Sequence, residues 1–405
     1  MTRIAAKPAT PSRLPQRSRP RIAVRPEMLR WARERARLDL FTLRTRFPKL
    51  VEWEAEEVHP TLKQLEDYAR ATHAPIGFFF LPAPPVEPVP IPDFRTIADR
   101  AIASPSPNLL DTVYACQERQ AWYRDFVLVD GQPVLPFVGA LNANMPPIQA
   151  AEKIRQALGF DVDARRDCRT WAEALRLFIE QAERVGVMVM VSGVVLNNNY
   201  RHLDPQEFRG FALADDRAPL VFINGADSKA AQMFTLAHEL AHLWLGQSAL
   251  SDVSAGESFD KAPDNAIETW CNQVAAELLV PMEVFRGELI DGEPVRDTLN
   301  RLARRFKVSS LVVLRRLADA GRLGRNAFFR AYREELEHLR NLDAAGSGGG
   351  DFYRTTATRV SKRFARALVE STLEGRTLYR DAFRMLGIAK TSTFNEFGRS
   401  LNFAI

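Results

Sequence analysis

The stretch FTLAHELAHLWLG at residues 234–246 contains the motif His-Glu-x-x-His at His238, Glu239 and His242. Histidines four residues apart on a helix project from the same face, about 6 Å apart along the axis, so both imidazoles can bind one zinc ion. Glu239 lies beside them, where a carboxylate can take a proton from the water that attacks a substrate. The other positions are apolar or small, which predicts a buried helix whose polar side chains are satisfied by a metal.

A catalytic zinc ion needs a third protein ligand and an open position for water. A second strong helix is predicted at residues 265–279, reading NAIETWCNQVAAELL and stopped by a proline soon afterwards. Glu268 in this helix lies far enough past His242 for a loop and an antiparallel return. The two histidines and Glu268 are therefore the predicted Zn²⁺ ligands, with Glu239 as the catalytic base.

Two further side chains are expected close to this metal site. Cys271 and Asn272 share one face of the second helix with Glu268 and would support the ligands from there. Other groups compete with Glu268 for the third position. These competing ligands are Cys271, Asp260, Asp264 and Glu277, of which Glu277 falls on the opposite side of the helix.

The phrases FTLAHELAH and IETWCNQVAAELLVP together resemble the ImmA/IrrE family of bacterial zinc metallopeptidases, in which a HExxH helix precedes a helix of pattern E-x-x-A-N-x-F-A-A-x-L-L-x-P. The residues that match the family's functional positions are His238, Glu239, His242, Glu268 and Asn272. Cys271 and Val274 stand where the family usually has Ala and Phe. Family members characterised as peptidases cleave a helix-turn-helix repressor under stress. The resemblance therefore implies a metallo-endopeptidase with a specific protein substrate and a role in stress or mobile-element regulation.

The composition limits the class of protein. A chain of 405 residues is too long for one compact core and predicts two or three domains. No apolar run approaches the length of a membrane span, so no membrane partner is expected. Three widely spaced cysteines give no disulfide framework and predict a reducing, cytoplasmic location. The formal net charge of +5 permits contact with nucleic acid without indicating it.

The N-terminal region is predicted to hold a disordered basic arm at residues 1–24 and a helical module at residues 25–82. This module resembles the helix-turn-helix domain of phage-type repressors. The residues that match its W-E-x-x-x-x-x-P-T pattern are Trp53, Glu54, Pro60 and Thr61. Two features oppose DNA binding, namely Pro48 before the would-be recognition helix and a run of acidic side chains that repel phosphate. These acids are Glu52, Glu54, Glu56 and Glu57. DNA and a protein partner both stay open as ligands.

A proline-rich linker at residues 83–96 is predicted to precede a zinc metallopeptidase domain at residues 97–340. Within this domain, the run GVMVMVS at residues 186–192 predicts a buried strand. Residues 208–213 and 220–224 flank a turn and predict an antiparallel pair. In metallopeptidases of this general kind, an edge strand beside the metal binds substrate as an added strand. Either strand of the pair is a candidate for that edge.

Residues 341–350 contain AGSGGG and predict a flexible hinge, after which residues 351–405 predict a C-terminal helical domain rich in basic side chains. The predicted fold class is α+β. It combines an N-terminal helix-turn-helix bundle, a central and mainly helical zincin-like domain with a small antiparallel sheet, and a C-terminal helical extension.

No motif identifies the group that would stabilise the oxyanion in peptide hydrolysis. Tyr200 and His202 are candidates because they precede the sheet. The alternative function is a non-catalytic DNA-binding regulator or antitoxin-like protein that binds DNA or a toxin-like partner through the same scaffold. The long helical additions favour this alternative, whereas the intact ligand set favours zinc-dependent peptide hydrolysis.

Overall fold

The computed structural model describes residues 20–93, 104–251, 266–343 and 352–405. These residues fall into two compact units. The first extends to Pro88 and includes Ser104–Pro107, and the second contains the remainder. The predicted arm, hinge and end of the linker lie largely outside the described residues. The predicted domain boundaries stay predictions.

The first unit is a small bundle of short helices, as the sequence periodicity predicts. Its elements are α1 (Pro26–Arg35), α2 (Leu40–Arg46), α3 (Leu50–Glu54), α4 (Leu62–Ala71) and a 3-10 helix at Ile76–Phe80. Caps set two of the starts. The Asp39 side chain accepts a hydrogen bond from Thr42 N–H at 2.8 Å before α2, and Thr61 with Gln64 forms a capping box before α4.

Buried aromatic side chains hold this bundle together. Trp53, Tyr68 and Phe79 are each at most 2% exposed, and the Tyr68 hydroxyl donates to the Leu29 carbonyl at 2.8 Å. Glu54, one of the acids at the end of α3, pairs with Arg33 at 3.2 Å, so its charge is offset within the unit. DNA binding by this unit stays a prediction.

The remaining helices and strands build the unit that contains the predicted metal site. The helices are α5 (Pro107–Val129), α6 (Pro147–Leu158), α7 (Trp171–Arg184), α8 (Lys229–Leu245), α9 (Ala266–Leu279), α10 (Met282–Gly287), α11 (Val295–Phe306), α12 (Ser310–Asp319), α13 (Arg325–Asp343), α14 (Phe352–Arg359), α15 (Lys362–Leu373), α16 (Tyr379–Leu386) and α17 (Thr391–Ser400). The strands are β1 (Met188–Ser192), β2 (Val194–Val195), β3 (Asn198–His202), β4 (Gly210–Leu213), β5 (Leu220–Asn224) and β6 (Ala249–Ser251). Among the described helices, none has both the length and the apolar character needed to cross a membrane.

The main sheet has the strand order β1-β5-β4-β6, and β2 pairs with β3 in a separate hairpin. The β4–β5 pair is antiparallel, as predicted. By contrast, β1 pairs with β5 in parallel, with Met188 opposite Leu220, so the sheet is mixed and not purely antiparallel. A parallel pair needs a long connection, and the chain between β1 and β5 supplies it through the β2–β3 hairpin and β4. The mixed α+β class is confirmed.

The prediction that β4 or β5 forms the substrate-binding edge is wrong. Both are interior strands, because β6 pairs antiparallel with β4 and β1 covers the other side of β5. On its outer side, β6 contacts the proline-rich linker, where Leu250 N–H donates to the Pro92 carbonyl at 2.9 Å. Strand β6 has only three residues and lies inside a polar stretch, so no strand pattern can be recognised there from the sequence.

Alternating side chains give the sheet two buried faces. One face packs against α8 and contributes Val189, Val191, Ala212, Val221 and Ile223 to its core. The other face packs against α5 and the C-terminal helices and contributes Met188, Met190, Phe211, Leu220 and Phe222. The strands are therefore buried on both sides, which places α8 in a fixed position on the sheet.

Candidate metal centre

Helix α8 carries the His-Glu-x-x-His motif and is fixed at both ends by its sequence. The Ser228 side chain caps its start by accepting a hydrogen bond from Ala231 N–H at 3.2 Å. Gly246 ends it in a left-handed conformation with φ of 69°, which residues with a side chain rarely adopt. The three motif side chains are fully buried, as the apolar surroundings predict.

Helix α9 returns antiparallel to α8 and brings Glu268 to the two histidines. Glu268 Oε2 lies 3.1 Å from His238 Nε2, and Glu268 Oε1 lies 3.0 Å from His242 Nε2. The two Nε2 atoms are 3.0 Å apart. The structure thus brings together the three side chains that the sequence analysis predicts as ligands.

The spacing of these atoms fits one zinc ion. Ligand atoms about 2.0–2.1 Å from a tetrahedral zinc stand roughly 3.3–3.4 Å from one another, close to the separations found here. Two imidazole nitrogens and one carboxylate are also the donor set of many catalytic zinc sites. The Glu268 side chain is 13% exposed, so solvent reaches the centre from that side. Three ligands would leave one position for water or substrate.

The charges of the ligands suit a cation. Burial lowers the pKa of His242, with His238 acting in the same direction, so this imidazole is neutral and able to bind a metal. Burial by itself would raise the pKa of Glu268. The two histidines outweigh that effect, and the net pKa lies below the ordinary value. Glu268 is therefore ionised.

The Glu239 side chain extends from α8 toward the sheet, where the absence of a side chain on a glycine leaves space for it. A Cβ atom on Gly210 of β4 would stand 3.3 Å from Glu239 Oε1. The register partner of Gly210 on β6 is Ser251, a buried residue that favours the ionised form of Glu239. Burial nevertheless raises the pKa of Glu239 well above its usual value, and the charge of Glu268 adds to the rise. Among the described residues, neither Glu239 oxygen has a partner at hydrogen-bond geometry.

Asn272 and Cys271 lie beside the ligands on α9. Asn272 Oδ1 is 3.1 Å from His238 Nδ1. Because an amide oxygen only accepts, Nδ1 carries the proton and Nε2 presents its lone pair toward Glu268 and His242. Cys271 is fully buried, and burial raises its pKa well above the usual value, with the charges of Glu268 and Glu239 adding to the rise. Its thiol is therefore protonated, a poor ligand form.

The other competing ligands are not brought to this centre. Glu277 forms a buried ion pair with Arg316 and accepts a hydrogen bond from Met282 N–H at 3.1 Å. Asp260 and Asp264 lie outside the described residues.

The two candidate oxyanion stabilisers lie on β3, in the hairpin that is separate from the main sheet. Tyr200 is 96% exposed, and His202 is also exposed. The His202 carbonyl accepts a hydrogen bond from the Asn108 side chain at 2.9 Å. These contacts connect β3 to α5 and leave the role of both side chains a prediction.

Gly210 and Ser251 are neighbours of Glu239 that the sequence analysis does not identify. A glycine inside an otherwise apolar strand can indicate close approach of another group, so Gly210 could have been identified from the sequence as a contact point. Ser251 stands at the end of a strand that sequence patterns do not reveal, and it is identified only by its register with Gly210.

Two families match parts of this chain. Residues 182–318 match the family described as IrrE N-terminal-like domain, of the M78 peptidases, and residues 360–400 match a domain of unknown function. The radiation response metalloprotease IrrE of Deinococcus deserti is 38% identical over 107 residues, covering 26% of this chain and 38% of that protein. IrrE of Deinococcus radiodurans is 34% identical over 110 residues, covering 26% of this chain and 32% of that protein.

The chain therefore spans well under half the length of either relative. The family match at residues 182–318 covers the region around the metal centre. That region contains α8 and α9 with all three proposed ligands and Glu239. The match over residues 182–318 supports the resemblance of this part of the chain to the ImmA/IrrE family.

Proposed function

We propose that this protein is a zinc-dependent endopeptidase that acts in regulation by cutting a specific protein. One observation carries the proposal. His238, His242 and Glu268 converge with separations of 3.0–3.1 Å, and the buried carboxylate of Glu239 lies next to them with no hydrogen-bond partner among the described residues. A metal site that only stabilises the fold does not need a buried carboxylate beside its ligands, and burying that carboxylate is energetically costly.

Zinc, when bound, lowers the pKa of water and polarises a carbonyl, so that water can attack a peptide bond at neutral pH. The residues of this chain would transfer the proton and hold the ligands in position. Glu239 accepts the proton of the attacking water and passes it to the leaving amine. Gly210 leaves space for the carboxylate beside the sheet, because a Cβ atom there would stand 3.3 Å from Glu239 Oε1. Asn272 fixes the ring of His238 through Nδ1.

The regulatory part of the proposal comes from the relatives. The two matched proteins carry the description radiation response metalloprotease. We extend it to this chain in general form: the substrate is a transcriptional repressor with a helix-turn-helix domain or a similar regulator, and cleavage changes gene expression under stress. The first unit of this chain, with its helices at residues 26–71, is the proposed site for recognising that partner.

A cleavage assay with matched variants tests the proposal. The zinc-loaded protein is incubated with the helix-turn-helix repressor encoded nearest to its own gene, beside Glu239→Gln and a chelated sample. We expect the wild type alone to produce defined fragments. Cleavage by Glu239→Gln at the same rate as by the wild type would refute the role of Glu239 as the catalytic base. Intact repressor in every sample, with zinc bound, would refute the proposed substrate, and a survey of other regulators would then decide whether the peptidase proposal stands.

A further inference from the structure

A cavity of about 310 Å³ lies beside the metal centre and is lined by residues of α6, α8, α9, α10 and α12. Its volume is at the lower end of the range for pockets that bind small molecules, roughly 300–1,000 Å³. The cavity is formed wholly by the second unit of the protein. It has no part in the binding of the metal or in proton transfer as described above.

Three residues that line the cavity stand close to the metal ligands in the chain or in space. Phe234 lies one helical turn before His238 on α8 and contributes one wall. Thr269 directly follows Glu268 at the start of α9. Asn272 separates the cavity from the centre, since it lines the cavity and its Oδ1 lies 3.1 Å from His238 Nδ1. The cavity thus lies one side chain away from a metal ligand, a gap that a substrate side chain near the cleaved bond would have to bridge.

The charged side chains of the cavity are already engaged with one another. Glu277 and Arg316 form a buried ion pair, and Arg316 also donates to the Val280 carbonyl at 2.9 Å. Arg315 pairs with Asp319 at 2.9 Å. A charged group entering the cavity would find these partners taken and would lose its hydration without compensation.

The rest of the lining is mainly apolar. The side chains that supply it are Ile148, Phe234, Ala276, Met282 and Val312. Ile148 is 59% exposed and is the most accessible of them, whereas Phe234, Ala276 and Val312 are buried. An apolar side chain that left water for this cavity would gain contacts on several sides, at about 25 cal/mol for each Å² buried.

We infer that this cavity receives one large, uncharged side chain of the substrate, such as leucine, methionine or phenylalanine, at a position next to the cleaved bond. The inference rests on the proposed peptidase function and adds its substrate class. It assigns Ile148, Ala276 and Val312 to substrate selection, together with Phe234. None of these residues takes part in metal binding.

The test is a cleavage profile on a peptide mixture randomised at every position, with the products aligned on the cut bond by mass spectrometry. Ile148→Glu introduces a carboxylate at an accessible edge of the cavity without disturbing the core. Ile290→Glu is the matched control, because Ile290 is 58% exposed and is not part of the lining. Zinc content and thermal unfolding are measured for each variant. A second readout is the set of uncut peptides retained by Glu239→Gln protein.

We expect the wild type to prefer large apolar residues at one position by about tenfold or more over glycine and aspartate. Ile148→Glu should lose that preference and favour lysine or arginine, while Ile290→Glu keeps the wild-type profile. Retained peptides should show the same apolar enrichment. Cleavage by the wild type with no apolar preference, or with a profile unchanged by Ile148→Glu, would overturn the cavity inference and leave the peptidase proposal intact. Absence of both zinc-dependent cleavage and apolar retention would overturn the two together.

Discussion

His238 Nδ1 lies 3.1 Å from Asn272 Oδ1, so α9 supplies a ligand and also orients a ligand on α8. Partners of this kind raise the basicity of a metal-bound histidine and hold its ring in the plane that the metal needs. The contact joins the two helices at a second point, four residues along from Glu268 on one and four residues before His242 on the other. Substitution of Asn272 therefore tests how far zinc binding depends on side chains that contact the ligands.

Asn272→Ala should weaken zinc binding by about 10- to 100-fold, because His238 loses the acceptor that fixes its tautomer and ring position. Asn272→Asp keeps an oxygen at the same place and should restore most of the affinity. Competition with a chromophoric chelator measures both values. Equal zinc affinity in wild type and Asn272→Ala would show that the packing of α8 is sufficient to orient the ring.

Glu268→Ala should abolish stoichiometric zinc binding at micromolar metal, because two histidines alone make an incomplete site. Glu283→Ala, which changes an exposed glutamate on α10, should bind zinc like the wild type. Metal analysis after gel filtration gives the stoichiometry. The wild type should also lose thermal stability when zinc is removed, since a ligand that binds only the folded state stabilises it. A full complement of zinc in Glu268→Ala would require a different third ligand.

Glu239→Gln should keep its zinc and lose activity by about 10²- to 10⁴-fold, the range that general base catalysis supplies. The substitution retains the shape of the side chain but removes its ability to take a proton. Rates on a cleaved substrate, compared at equal zinc content, measure the effect. A variant that lost its metal as well would point to a role of Glu239 in holding the centre together.

The pH dependence of stability should also report on Glu239. Burial, together with the charge of Glu268, raises its pKa in the folded metal-free protein. The folded state therefore keeps a proton that the unfolded chain releases above its ordinary pKa of about 4.3, so stability falls as pH rises from there toward the folded pKa. We expect metal-free Glu239→Gln to be more stable than metal-free wild type at pH 7, and the difference to shrink below about pH 4. Denaturant unfolding at several pH values measures it, and a constant difference would contradict the assignment.

Gly210→Ala tests the close packing beside Glu239. A Cβ atom there would stand 2.5 Å from Thr235 Cγ2 and 2.9 Å from the Phe222 carbonyl oxygen. We expect a loss of about 1–3 kcal/mol in the free energy of unfolding, from overpacking. Gly287→Ala is the control and should be neutral or slightly stabilising, since among the described residues nothing beyond its chain neighbours and its own helix comes within 4 Å of the added Cβ. Similar unfolding curves for the two variants would show that the sheet moves away from α8 at little cost.

The sequence by itself predicted the elements that depend on local pattern. The helical module predicted at residues 25–82 and the two helices of the centre follow from periodicity and caps, and the antiparallel β4–β5 pair follows from the turn between two apolar runs. Spacing on a helix placed His238 and His242 on one face, and the resemblance to a family supported Glu268. The placement of the two histidines holds because its information lies within two turns of one helix, and the strand pair is likewise a contact between neighbours in the chain.

Only the tertiary structure decided what lies around Glu239 and at the edge of the sheet. A parallel β1–β5 pair, an edge strand of three residues and the register of Ser251 with Gly210 depend on contacts between distant segments. The same holds for the cavity, whose walls come from five helices. Local sequence specifies the face on which a side chain lies. Which face of another element it meets is set by packing of the whole unit, because burial and hydrogen bonding are satisfied only jointly.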